Sequence, residues 1–229
     1  LSNHGGTILS NGRAVLAAGG IDNGGGSIGG HTGLTVTAAG ALDNTHGQLA
    51  SNADLSVSSG AALSNAAGTI AAKGNDTVQA ASLANGGSIT AGQALDAQVG
   101  GLLDNSSGTL SGQGVTTHAA SLKNGSGTIS GDSVSVSADV LDNTGGRIAA
   151  NTLGVTAVTL INQQGTLTQL GSADTAFTLS GALDNSAGGV IQTNGANLLL
   201  ASASFDNDGG TVTHAGTGVT TIDVGAGGG

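Results

Sequence analysis

The chain predicts an all-β fold: a right-handed parallel β-helix, a solenoid of about eleven coils of ~20 residues. Three observations carry this. A short phrase recurs about every twenty positions, apolar and glycine columns keep fixed offsets from it, and only two aromatics, Phe177 and Phe205, are present to build a thicker core. Fixed-period self-similarity marks a repeat architecture, in which each unit buries its apolar face only by stacking on its neighbours.

The phrase is an apolar residue, a variable residue and an asparagine. Leu-Asp-Asn stands at 42–44, 103–105, 141–143 and 183–185, with variants such as Ile21-Asp22-Asn23, Leu122-Lys123-Asn124 and Phe205-Asp206-Asn207. The anchors are Asn3, Asn23, Asn44, Asn65, Asn85, Asn105, Asn124, Asn143, Asn162, Asn185 and Asn207. Their steps are 20, 21, 21, 20, 20, 19, 19, 19, 23 and 22 residues. Three residues after each anchor comes a glycine, from Gly6 and Gly26 through Gly165, Gly188 and Gly210; the Asn85 repeat is one residue shorter and uses Gly87. Two residues further lies a second apolar column: Ile8, Ile28, Leu49, Ile70, Ile89, Leu110, Ile129, Ile148, Leu167, Val190 and Val212.

Each repeat then carries a stretch of alternating character, such as Leu34-Thr35-Val36-Thr37 or Val134-Ser135-Val136-Ser137. Period-two alternation of β-branched residues is the pattern of a strand with one buried and one wet face. Each unit therefore reads as two or three short strands joined by Gly and Asn corners. Hairpins are the competing arrangement, because Asn23-Gly24, Asn85-Gly86 and Asn124-Gly125 resemble tight turns. Most anchors lack a following glycine, as in Asn44-Thr45 and Asn105-Ser106, and the constant step favours the solenoid. Neighbouring coils would pair as parallel strands ~4.8 Å apart, a rod of roughly 50 Å for the whole stack. The right hand follows from the preference of parallel crossovers. The reading gives one repeat domain over 1–224 and a Gly-rich flexible tail over 225–229.

Composition limits what the chain does. It has 14 acidic residues, all Asp, against 4 basic ones, and a net charge of −10. That balance argues against nucleic acid and anionic membranes as partners, since both need basic patches. Cysteine is absent, and no stretch is apolar enough to span a membrane. The missing initial Met suggests a fragment of a longer protein.

Repeats of the form Leu-Asp-Asn-x-x-Gly-x-Ile-x-Ala followed by Leu-x-Val-x-Ala resemble those of the filamentous haemagglutinin family over essentially all of 1–224. The resemblance implies a long exoprotein of a two-partner secretion system, an adhesin or a contact-dependent growth inhibition effector. It implies a filament exported unfolded through an outer-membrane transporter and displayed at the bacterial cell surface. The partner there would be a receptor or glycan of a host or neighbouring cell. Neither an amino-terminal secretion domain nor a carboxy-terminal toxin is recognisable in this stretch.

No cofactor motif and no catalytic set emerges. Anchor asparagines would serve the corners, tolerating a left-handed backbone and bonding between coils. The residue before each anchor varies and would face solvent, and Asp104, Lys123 and Asp142 would interleave opposite charges. Asp184, Asp206 and Asp208 raise a weak Ca²⁺ site, but the calcium-coil repeat pattern is absent. A carbohydrate-active β-helix enzyme would need converging carboxylates and basic residues. Arg13 and Arg147 are six coils apart, and the five histidines share no offset, so the chain reads as non-enzymatic. Ice binding is a third reading, from the hydroxyl column Thr7, Ser27, Thr69, Ser88, Thr109, Thr128, Thr166 and Thr211; Gln48, Arg147 and Gly189 interrupt it. The coils from Asn162 and Asn185 are longer than average, and the extra residues of the first would bulge as a binding loop formed by Gln169, Leu170, Ser172 and Asp174.

Overall fold

The coil from Asn23 shows how one repeat folds. Ser27–Gly30, Gly33–Ala38 and Leu42–Asp43 form three strands, separated by corners at 31–32, 39–41 and 44–47. The computed structural model describes residues 1–225, so the tail expected at 225–229 lies, apart from Gly225, outside the described residues. Among the described residues twenty-five strands and no helix occur, and every pairing is parallel. The chain is a parallel β-solenoid of about eleven turns. Hairpin pairing is ruled out by the register, which joins each residue to its equivalent one repeat on.

That register stacks like on like. Ile21, Leu42, Leu63, Leu83, Leu103, Leu122, Leu141, Leu160 and Leu183 form one column, each at most 3% exposed. Ile28, Leu49, Ile70, Ile89, Leu110, Ile129, Ile148, Leu167 and Ile191 form a second. Fully burying one such side chain contributes about 1.5–3 kcal/mol, so repetition of medium-sized aliphatics replaces the missing aromatics. One repeat sits a residue away from where the sequence spacing puts it. Val190 pairs with Thr166, and Ile191, not Val190, pairs with Leu167 in the core. The corner after Asn185 holds one extra residue, so the glycine in register is Gly189 rather than Gly188. Val190 thereby replaces Gly189 in the outward hydroxyl column.

Strand length follows coil length. Around the 19-residue steps each of these corners leaves only one residue out of the pairing, Asp132 and Asp139 in one coil, and Thr128–Asp142 and Arg147–Ile161 run as 15-residue strands. In the longer coils that follow, larger side chains enter the core: Val155 pairs with the fully buried Phe177, and Phe177 with Leu200. Phe205 is half-buried at the end of the leucine column, paired with Leu183.

Candidate functional site: the asparagine ladder and the widened corner

The anchor asparagines point inward. Asn23 through Asn185 are fully buried, and each Nδ2 donates to the Oδ1 of the next anchor. Ten such bonds, at 2.7–2.8 Å, run without a break from Asn3 to Asn207. The same amide serves the corner. Asn124 Nδ2 also donates to Gly127 O at 3.2 Å and to Arg147 O in the next coil at 3.3 Å. Its backbone carbonyl accepts from Gly127 N, and its N–H donates to Asp142 O. Both ends of a short amide side chain are needed: one donor group and one acceptor, at fixed reach, in every coil. All donors point toward the carboxy-terminal end, so the bonds polarise one another in one direction.

The expectation that these asparagines adopt the left-handed backbone is wrong. At every anchor but Asn85 the left-handed residue is two positions later: Gly5, Gly25, Gly145 and Gly209, but also His46, Ala67, Ser107, Ser126, Gln164 and Ala187, at φ between 51° and 67°. Asparagine is kept for its amide, and the corner strain passes to a neighbour. The glycine three positions on has a separate reason. A Cβ on Gly127 would lie 2.1 Å from Asn105 O and 2.7 Å from Asn124 Oδ1, so only glycine lets the ladder close.

The variable residue before the anchor is also more than a solvated position. Oδ1 of Asp22, Asp43, Asp104, Asp142, Asp184 and Asp206 accepts the backbone N–H two residues ahead, capping the corner. The register does stack Asp104, Lys123 and Asp142. Asp184 pairs with Asp206 in register. Burial works against ionisation of Asp184, yet hydrogen bonds from the Ser186 side chain and backbone and from Gln163 hold its carboxyl below the ordinary value. No group of three or more His, Cys, Asp or Glu is placed to hold a metal among the described residues.

The long coil widens the corner between its first two strands, and the extra residues do not bulge freely. Gln169 is buried, not part of an outward loop. Its Oε1 accepts from Leu153 N at 3.1 Å and its Nε2 donates to Ala173 O. Asp174 is exposed but committed, with Oδ1 accepting from both N and Nδ2 of Asn197 at 3.0 Å. Leu170 N and Gly171 N bond to the coil before, and Ser172 O accepts from Ala196 in the coil after. The widening then continues through 194–197 and 215–219 as a stacked column. Of the four residues expected to form the loop, Leu170, 52% exposed, and Ser172 face outward with no side-chain bond among the described residues.

One residue escaped the sequence reading. The column Leu34, Leu55, Leu95, Val115, Val134 and Leu153 is interrupted by Asp76, in register between Leu55 and Leu95. Its carboxyl is fully buried, neither oxygen has a hydrogen-bond partner among the described residues, and burial pushes its pKa up to about 8. The signal was available. Extending the alternation column by its repeat step lands on Asp76.

Comparison with known proteins settles what this geometry belongs to. The haemagglutinin repeat model matches residues 1–81, 71–139, 125–187 and 178–226. The chain belongs to the haemagglutinin repeat family. A curated relative, the tRNA nuclease CdiA-2 of Burkholderia pseudomallei (strain 1026b), is 45% identical over 158 residues, 68% of this chain. The matched stretch is 5% of that protein. No solved structure matches. Haemagglutinin repeat proteins of this kind are secreted and surface-displayed, and the chain is a repeat segment of the sort that forms their stalks.

Proposed function

We propose that this chain is a non-enzymatic filament segment: a stiff spacer that holds a distal binding or toxin region away from the cell, with its side wall open to adhesion. The observation that carries this reading is the unbroken ladder from Asn3 to Asn207, flanked on every face by parallel pairing. Bending such a rod at any coil means breaking three strand pairings and one ladder bond together. Repeat stability is roughly a sum over neighbours, so length can grow coil by coil without a new core. The same property suits export of an unfolded chain through an outer-membrane transporter, since each emerging coil finds its template in the one before. The partner is a receptor or glycan on a host or neighbouring cell. The nuclease activity in the relative's name is not carried to this chain.

In-register deletion tests the spacer role. Removing residues 105–123 from the intact exoprotein joins Asp104 to Asn124, restoring both the phrase and the ladder. The rod should shorten by ~4.8 Å, fold normally and keep its adhesion or delivery. Removing 105–113 should abolish both folding and function. Loss of function with folding intact in the first variant would show that this coil carries a site of its own. For side-wall binding at the widened corner, replacing Leu170 and Ser172 with Asp should reduce adhesion and leave the rod folded; unchanged adhesion rejects that site.

A further inference from the structure

Asp76 is a carboxyl where the fold calls for leucine. Its strand, Asp76–Ala84, is paired on one side with Leu55–Ser64 and on the other with Ala94–Val99, and both register partners, Leu55 and Leu95, are apolar and buried. Across the core the same three coils present Ile70, Ile89, Leu63, Leu83 and Leu103, again apolar and buried. Asp76 is the only ionisable residue among the buried ones described. The nearest charged groups in sequence and register face away: Lys73 and Asp54 are exposed, Asp54 is engaged with Asn75 N and Nδ2, and Asp96 follows Leu95 on the outward side of its strand. Among the described residues no hydrogen-bond donor meets either carboxyl oxygen. An isolated carboxylate in such surroundings is far costlier than a neutral acid, so the coil closes with a proton in place.

We propose that the coil carrying Asp76 is a proton-linked weak point of the solenoid, which stays closed in acid and opens progressively more often as the surroundings become alkaline. The unfolded chain has Asp76 ionised above its ordinary value of 3.8, whereas the closed coil holds the proton up to about 8. Closure therefore takes up a proton throughout that interval. Stability of the coil is full below 3.8, falls as pH rises, and levels off above about 8. Within the interval each pH unit multiplies the open-to-closed ratio by about ten. This is opposite in sign to Asp184, whose hydrogen-bonded carboxyl favours the folded state at higher pH. A stack of near-identical coils thus contains one coil whose opening is set by the medium, and opening there exposes the edges of both neighbours.

Native-state hydrogen exchange on the whole chain at pH 5, 6 and 7 reads this out. Protection factors remove the intrinsic pH dependence of exchange, and remote coils such as that from Asn143 serve as an internal reference. Protection over 76–84 should fall about tenfold per pH unit relative to that reference. Asp76→Leu should abolish this dependence and raise protection at pH 7 by at least a hundredfold. Asp76→Asn, which keeps an unpartnered polar group but cannot ionise, should also be independent of pH. It also supplies the test should the leucine variant pack poorly. An unmodified chain with no extra pH dependence at 76–84, or a dependence that persists in Asp76→Asn, overturns the proposal.

Discussion

Asn124→Ala is the sharpest perturbation of the ladder. The wild-type amide accepts from Asn105 Nδ2 and donates to Asn143 Oδ1, both at 2.7 Å, in a fully buried position. Truncation leaves Asn143 Oδ1 without its donor. Asn105 Nδ2 keeps weaker bonds to Gly108 O and Thr128 O, both at 3.3 Å, and Gly127 O still receives Arg147 N. Four side-chain bonds go in all, the one accepted from Asn105 and those donated to Asn143 Oδ1, Gly127 O and Arg147 O. One orphaned buried acceptor costs about 1–3 kcal/mol, and the lost bonds together with the missing packing bring the total to about 3–5 kcal/mol. Asn124→Asp separates chemistry from shape. It is isosteric and still accepts from Asn105, but it turns an oxygen toward Asn143 Oδ1, Gly127 O and Arg147 O. It should cost more than alanine at neutral pH and recover as pH falls, because protonation restores a donor and relieves the buried charge. Urea unfolding followed by circular dichroism measures the totals, and hydrogen exchange shows whether the loss centres on the coils from Asn105 to Asn143. An alanine variant within 0.5 kcal/mol of wild type, or an aspartate variant as stable as asparagine at neutral pH, would refute the ladder as a source of stability.

Other consequences follow from the corners. Gly127→Ala forces a Cβ to 2.1 Å from Asn105 O, whereas Gly114→Ala meets nothing within 4 Å. The first should cost at least about 2 kcal/mol, and the second should be neutral or stabilising by up to about 1 kcal/mol, read as thermal midpoints. Ala67→Gly relieves a left-handed alanine at φ 51°. It should stabilise by roughly 0.5 kcal/mol, the residual of about 1 kcal/mol of relieved strain against greater unfolded-state freedom. Asp184, held below the ordinary carboxylate value, contributes stability that is present above that value and is lost as pH falls from it through the lowered folded-state one. Asp184→Ala should flatten the acid limb of the stability curve; an unchanged limb would assign the loss elsewhere.

The columns were legible in the sequence because each coil meets the same geometric demand. Leu at one corner, Asn two residues on and Gly three beyond that satisfy a single pattern repeated at every step, and repetition makes the pattern visible. What stayed hidden breaks the pattern or lives in the backbone. Asp76 was missed because the alternating stretch varies more than the anchor phrase, so one polar intruder draws little notice. The role of Asp22 and its equivalents was missed because an exposed aspartate capping a turn looks like any solvated charge. The left-handed position was misplaced because it is filled by Gly, His, Ala, Ser and Gln alike, and no residue type marks it. At Asn185 one inserted residue shifted the alignment, and Gly188-Gly189-Val190-Ile191 offered both registers equally well. The widened corner was recognised by its length but not by its content. Inward Gln169 and committed Asp174 became evident only from what they bond.

The solenoid stacks one repeat per coil in parallel register. Spin labels on a cysteine-free chain test it directly, using the outward column Thr37, Ser58, Gln79, Gln98, His118, Ser137, Thr156 and Thr178. Dipolar distances from Thr37Cys to His118Cys, Thr156Cys and Thr178Cys span four, six and seven steps of that column. They should be ~19, ~29 and ~34 Å, a straight line of ~4.8 Å per step. Distances that do not grow in proportion to the number of coils would contradict the solenoid.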